Sequence, residues 1–443
     1  MSDRSLLDLL HAVMERGREL VGRAPAPTLP TNQIIKLAEA LLSGRGEASG
    51  VALARELLDA YESLPDERKL GFLKLLAERY GADAARLDRA LSNYLEQPDG
   101  KMATELHAAA EPLRQELIRR INLAPGGTAG LVKMRDYVLR CLPAHPELAQ
   151  VDADFTHLFS SWFNRGFLVL MRIAWSTPAN ILQKIIRYEA VHQITDWEDL
   201  RRRLEPGDRR CFAFLHPALV DEPLIFVEVA LTSDMPDAIA PLLAEERDPI
   251  LPQKAKTAVF YSISNCQPGL KGISFGNFLI KQVVEELRRE LPSLKTFVTL
   301  SPLPGFMQWL QSERELANSQ VLTADIKATL AQLDRPNWHT DPARVKQLKP
   351  ILTFAAAHYL LAASAVRRPL DPVARFHLGN GARLERINWL GDTSARGLKF
   401  GAGFMVNYLY ELDEIEKNHE SFVNRGEIAA SHSVRRHLRD MSN

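Results

Sequence analysis

The chain has 443 residues, with 55 Lys and Arg against 55 Asp and Glu, so it carries no global field of the kind that draws nucleic acid or an anionic membrane. Its length implies two or three domains, and an apolar content of 46% is ordinary for a soluble globular protein. Cys141, Cys211 and Cys266 lie far apart and form no CxxC, which sets aside a zinc site or a disulfide framework and favours a reducing compartment.

The N-terminal stretch MSDRSLLDLLHAVMERGREL mixes acidic with apolar residues, as an amphipathic helix does and a signal or transit peptide does not. Up to about residue 160, apolar residues recur at helical spacing over Ile34 to Leu42, Val51 to Leu57, Leu70 to Tyr80, Leu106 to Ile121 and Leu131 to Cys141. Pro65, Pro98 with Gly100, Pro125 to Gly127, and Pro143 with Pro146 punctuate them, and no repeat period emerges. An irregular helical bundle is expected. Phe155 to Ala174 is apolar on most faces and reads as a buried helix near the junction of two halves.

After it the texture changes. β-Rich runs at Cys211 to Leu215, Leu224 to Leu231, Thr257 to Ser262, Thr296 to Leu300, Leu384 to Trp389 and Phe404 to Tyr410 alternate with helical patterns. The helical patterns are Ile181 to Tyr188, Phe275 to Leu291, Gly305 to Leu316, Thr323 to Leu333 and Pro350 to Ala365. An α/β or α+β domain follows. No run reaches the roughly 18 apolar residues of a membrane span, and the C-terminal HLRDMSN lacks a peroxisomal tripeptide. The expected location is cytoplasmic, with neither membrane nor nucleic acid as partner.

Three stretches carry candidate chemistry. The turn Gln267 to Asn277, QPGLKGISFGN, precedes a helical pattern, and its glycines free backbone N–H groups at a helix N-terminus, which suits a phosphate-bearing ligand. It is neither a Walker A sequence nor a GxGxxG, and alone it reads equally as a plain strand-to-helix turn. Ser301 follows an apolar strand in SPLPG and reads either as a cap for the next helix or as a hydrogen-bond donor to a carbonyl or carboxylate. No GxSxG elbow supports a Ser-His-Asp hydrolase. His377 sits beside a Gly-Asn-Gly turn, and its ordinary pKa of about 6.5 suits a proton donor, although a structural histidine is the commoner case. Tyr408 and Tyr410 share a strand face. The basic runs Arg201 to Arg203 and Arg435-Arg436 read as solvated surface.

Taken together, FYSIS, QPGLKGISFGNFLIKQVVEEL, LSPLPGF, FHLGNGARLERINW and MVNYLY, with YEAVH and EPLIFVEVALT upstream, resemble malonyl-CoA decarboxylase over roughly residues 160 to 415. The resemblance implies an α+β two-domain chain: an N-terminal all-helical bundle that mediates oligomerisation, over 1–165, then an acetyltransferase-like (GNAT) α/β catalytic domain over 166–443. It implies conversion of malonyl-CoA to acetyl-CoA and CO2 in fatty acid metabolism, with no metal or prosthetic group, coenzyme A being part of the substrate, and a homo-oligomer, a tetramer. Carried over by motif, Ser301 and His377 are the catalytic pair and Tyr410 stands near them. Lys271, Gly272, Ile273, Ser274, Phe275, Gly276 and Asn277 form the turn that contacts CoA. Animal members carry a glutamate where this chain has Ser274, so that carboxylate's role does not transfer. Chemically, Ser301 is expected to orient the malonyl group, His377 to protonate the enolate carbon, and backbone N–H groups beside Tyr261 to Cys266 to hold the thioester oxygen. A CoA-dependent acyltransferase and a non-catalytic acyl-CoA sensor are the rival readings; both use the turn, and neither needs Ser301 together with His377.

Overall fold

A computed structural model describes residues 31–43, 47–273, 279–361 and 371–438. The chain forms two compact units, one taking in the residues up to Trp162 together with Pro268–Ile273, the other Phe163–Gln267 with Ser274–Asn443. The expected N-terminal amphipathic helix, Ser274 to Asn277 and the end of the Pro350 to Ala365 pattern lie outside the described residues.

In the first unit the described residues form helices Thr31–Leu42, Glu47–Ser63, Asp66–Arg79, Ala84–Glu96, Gly100–Ala110, Leu113–Asn122, Gly127–Cys141 and Ala149–Trp162. Their starts follow the predicted breakers: Pro65 precedes Asp66, Asp99 accepts from the Met102 N–H at 2.8 Å, and Gly126 takes φ 75° before Gly127. Leu106 to Ile121, expected as one helix, is two, because Pro112 cannot continue the first and instead opens the second. Leu73, Leu117, Leu131, Val138, Val151 and Phe155 fill the interior. The Pro268–Leu270 turn packs on Gly127–Cys141 so closely that a Cβ on Gly269 would stand 2.0 Å from the Val132 carbonyl oxygen. Gly269→Ala is therefore expected to cost about 1–3 kcal/mol by overpacking, read as a lowered chemical-denaturation midpoint.

The second unit is built on a mixed sheet of eight strands: β1 (Val169–Ile173), β2 (Arg209–Leu215), β3 (Pro223–Thr232), β4 (Thr257–Asn265), β5 (Thr296–Thr299), β6 (Ser301–Pro302), β7 (Arg383–Asn388) and β8 (Met405–Leu409). β1 to β4 pair antiparallel in sequence order, β4 and β5 pair parallel, and β8 pairs antiparallel with β5 and β6 and with β7. Leu279–Glu290 is the crossover helix between the parallel strands, burying Leu279, Ile280, Val283, Val284 and Leu287. This is a mixed-sheet α/β arrangement preceded by a helical region. Phe155 to Ala174 is not one helix: it ends at Trp162, turns over Arg165–Phe167 and continues as β1. β1 is half-exposed and, among the described residues, pairs only with β2, so its apolar content reflects an edge strand rather than a buried helix.

Two details position the site. β4 bulges against β3 at Tyr261, between the pairs Glu228↔Ser262 and Val229↔Phe260. β5 accompanies β4 only to Phe260, whose carbonyl accepts from the Leu300 N–H at 3.0 Å; the chain then swings over so that Ser301 pairs with Val406 of β8. Among the described residues no strand pairs with β4 on that side beyond Phe260, although β4 runs on to Asn265.

Candidate active site

Ser301 is buried where the chain crosses from β5 to β8. It does not cap the next helix, Phe306–Glu315, whose N-cap is Gly305 with no side-chain cap. Instead the Gly305 N–H donates to Asp371 Oδ2 at 3.2 Å. A Cβ on Gly305 would lie 2.4 Å from the Tyr359 hydroxyl, so the turn that presents Ser301 needs glycine there.

His377 lies on the helix Pro372–Gly379. Asp371 starts this helix by accepting from the N–H groups of Val373 and Ala374 at 2.9 and 3.1 Å, with Pro372 in the first helical position. The helix stops at Asn380 and Gly381, where φ is 82° and a side chain would collide with the Ile415 carbonyl. The imidazole is fully buried, stacked on the Tyr408 ring with centroids 4.6 Å apart and planes at 25°.

The structure brings Ser301, His377 and Tyr410 together. His377 Nε2 is 3.0 Å from Ser301 Oγ and its Nδ1 is 2.9 Å from the Tyr410 hydroxyl. The Ser301 hydroxyl donates to Thr299 Oγ1 at 2.9 Å, and that oxygen also accepts from the Tyr408 N–H at 3.1 Å. Burial alone pushes the His377 pKa down to about 3 and raises the Tyr410 phenol well above its ordinary range. The ordinary titration expected from sequence is therefore lost: at neutral pH this imidazole is uncharged, and it acts only through one N–H and one lone pair.

Of the turn residues, Lys271, Gly272 and Ile273 belong to the first unit. Lys271 and Gly272 are exposed, Gly272 has φ 81°, and Ile273 is buried. Lys271 and Gly272 border a cavity of about 560 Å³ with Arg135, Leu139, Leu142, Pro143, Asp152 and Thr156. Buried Arg135 fixes the turn, donating to the Gly269 and Lys271 carbonyls at 2.8 and 2.9 Å while Asp152 holds its Nε at 2.8 Å. Lys271 is thus presented on a braced backbone.

Sequence reasoning missed Thr299, Asp371, Arg135 and Glu189. The last explains the YEAVH stretch: the Glu189 carboxylate accepts from the N–H groups of Val191 and His192 at 2.9 and 2.7 Å and from the hydroxyls of Ser262 and Ser264 on β4. Opposite Ser262, the fully buried Glu228 has its carboxyl pushed up to about 8, chiefly by burial and then by the charge of Glu189. Among the described residues there is no group of three or more His, Cys, Asp or Glu that could hold a metal ion, and no helix long and apolar enough to cross a membrane.

Residues 166–443 match the malonyl-CoA decarboxylase C-terminal domain and residues 80–163 its N-terminal domain. The chain is 35% identical over 399 residues to the mitochondrial malonyl-CoA decarboxylase of Anser anser anser, covering 83% of this chain and 79% of that one. With the Mus musculus protein of the same name the identity is 32% over 454 residues, 94% of this chain and 89% of the relative. The crystal structure of malonyl-CoA decarboxylase from Rhodopseudomonas palustris is 61% identical, with a TM-score of 0.90, covering 92% of this chain and 100% of that one. For the malonyl-CoA decarboxylase of Agrobacterium vitis the values are 55%, 0.86, 92% and 99%.

Proposed function

This chain belongs to the malonyl-CoA decarboxylase family, a family of carboxy-lyases, and on that footing we propose that it converts malonyl-CoA to acetyl-CoA and CO2, with Ser301 orienting the malonyl group and His377 protonating the enolate carbon. The observation that supports these roles is the buried line Ser301–His377–Tyr410, closed at 3.0 and 2.9 Å between residues 76 and 33 positions apart.

The chemistry needs three things. When the bond between Cα and the carboxylate breaks, its electron pair moves onto the thioester oxygen as an enolate, and backbone N–H groups along the free side of β4 after Phe260 are suited to hold that oxygen. The carboxylate charge vanishes as CO2 leaves, which a poorly solvating site such as the one around buried Ser301 promotes. The enolate carbon then takes one proton, so malonyl-CoA plus one proton gives acetyl-CoA plus CO2. A neutral imidazole supplies that proton from an N–H, as neutral imidazole acts as an electrophile in triosephosphate isomerase. The Tyr410 hydroxyl on the far nitrogen stabilises the negative charge left on the ring. Solvent returns the proton between turnovers.

Lys271 to Asn277 are assigned to CoA, Lys271 meeting its phosphates. The reading also includes no metal or prosthetic group, a cytoplasmic setting in fatty acid metabolism, and a tetramer, which a monomer in light scattering at micromolar concentration would contradict. Incubating the purified protein with malonyl-CoA alone tests the activity. Acetyl-CoA and CO2 formed without an acceptor and in the presence of EDTA support it. A need for an amine or alcohol acceptor identifies an acyltransferase instead, and bound but unchanged malonyl-CoA a sensor.

A further inference from the structure

Thr299 is fully buried beside Ser301, and both its carbonyl and its hydroxyl are hydrogen-bonded. Its carbonyl accepts from Asn407 Nδ2 at 2.7 Å, and Asn407 Oδ1 in turn accepts from Asn388 Nδ2 at 2.8 Å and Arg386 Nε at 3.0 Å. Its hydroxyl meets three groups: the Tyr408 N–H at 3.1 Å, Ser301 Oγ at 2.9 Å and the Val406 carbonyl at 3.5 Å. A hydroxyl has one proton and two lone pairs. The Tyr408 N–H takes one lone pair, the carbonyl takes the proton, and the remaining lone pair accepts the Ser301 hydrogen.

That assignment fixes the rest of the line. With its hydrogen turned to Thr299, Ser301 Oγ presents a lone pair to His377, so Nε2 carries the imidazole proton. Nδ1 is then the bare nitrogen and accepts from the Tyr410 hydroxyl. Each donor is used once. Reversing the direction would send the Ser301 hydrogen to Nε2, place the imidazole proton on Nδ1 facing Tyr410, and leave the buried Tyr410 hydrogen to find another acceptor, which is costly in a dry site.

We infer that Thr299 is a positioning residue that sets the tautomer of His377, holding the imidazole proton on Nε2, beside Ser301, before substrate arrives. The inference rests on the assignment of Ser301 and His377 made above. When the malonyl carboxylate enters, it replaces Thr299 as the acceptor of the Ser301 hydrogen, the direction of the line is unchanged, and Nε2 already bears the proton that Cα needs. Without Thr299 Oγ1 the Ser301 hydrogen turns to Nε2, and the imidazole proton moves to the nitrogen facing away from the reaction.

The test is Thr299→Val beside Thr299→Ser, with kcat and KM for malonyl-CoA and the ring-nitrogen resonances of ¹⁵N-histidine-labelled full-length protein, those of His377 identified by their loss in His377→Asn. Thr299→Val is expected to lower kcat/KM about tenfold or more, because the line must then reverse as the carboxylate enters, and to move the proton of the free protein from Nε2 towards Nδ1. Thr299→Ser, which keeps the hydroxyl, is expected to restore both. If Thr299→Val does not fold, Thr299→Cys, the serine shape with sulfur as a weak acceptor, takes its place under the same criteria. Wild-type kcat/KM with Nε2 still protonated in the valine variant overturns the inference, as does a serine variant no better than valine. Ser301→Ala and His377→Asn run alongside: if both keep full turnover, the assignment beneath the inference fails, whereas if they are inactive and Thr299→Val is not, only the role of Thr299 falls.

Discussion

His377→Asn is expected to lower kcat by about 10³, within the range general acid catalysis supplies, while KM for malonyl-CoA changes no more than a few-fold. Asparagine can keep one hydrogen bond to Ser301, now 3.0 Å from Nε2, but it has no conjugated second nitrogen facing Tyr410 to take up the charge left when a proton goes to carbon. The smaller side chain also leaves space against Tyr408, so circular dichroism and a melting midpoint must first establish that the variant is folded. The split between kcat and KM decides the matter. Loss of binding would appear in KM, and a folded variant with near-wild-type kcat would remove His377 from the reaction.

The same residue makes a statement about pH. An imidazolium acid of ordinary pKa would make kcat/KM fall tenfold per unit above about pH 6.5, because that ratio reports ionisations of the free enzyme. Burial holds the His377 pKa at about 3, so the ring is already neutral across the working range and nothing is left to titrate. The expected profile shows no imidazole ionisation between about pH 5 and 8. A tenfold loss per unit above pH 6.5 that disappears only with His377 would mean that the charged ring is the acid.

The strands and side chains behind these effects are unequally visible in the sequence. The strands at Cys211, Leu224, Thr257, Thr296, Leu384 and Phe404 are legible because each is a short β-branched or aromatic run between breakers, a local signal. β1 was hidden because an edge strand beside a helix end has no pattern of its own, and Ala84–Glu96 because it buries little beyond Ala90. Ser301, His377 and Tyr410 were found through motifs, which say that residues matter without saying how they meet. Thr299 and Asp371 escaped for the complementary reason. A threonine inside a strand and an aspartate before a proline are each ordinary locally, and their meaning comes from partners such as Gly305, 66 positions from Asp371, and Tyr408, 109 from Thr299. The lowered pKa of His377 was equally invisible, since burial is a property of the fold.

Asp371 is where those long-range partners converge, and Asp371→Ala is the second change with a large expected effect. One carboxylate oxygen holds the start of the His377 helix through Val373 and Ala374; the other accepts from the Gly305 N–H, in the turn after Ser301, and from the Tyr359 hydroxyl at 3.3 Å. The two motifs are thus tied through one fully buried side chain. Burial raises its pKa, and the four donors answer that cost only in part. Alanine leaves those donors without an acceptor; at about 1–3 kcal/mol for an orphaned buried group and about 1 for a lost cap, a net loss of about 3–5 kcal/mol is expected, after credit for no longer burying a charge. Asp371→Asn keeps one acceptor, buries no charge and should cost about 1 kcal/mol. Denaturant titration measures both. Because the alanine variant frees the His377 helix from the Ser301 turn, the fraction that remains folded should also turn over at least about tenfold more slowly, a 1 Å misplacement being enough for such a loss. Wild-type kcat in the folded fraction would mean that the helix and the turn are held in register without Asp371.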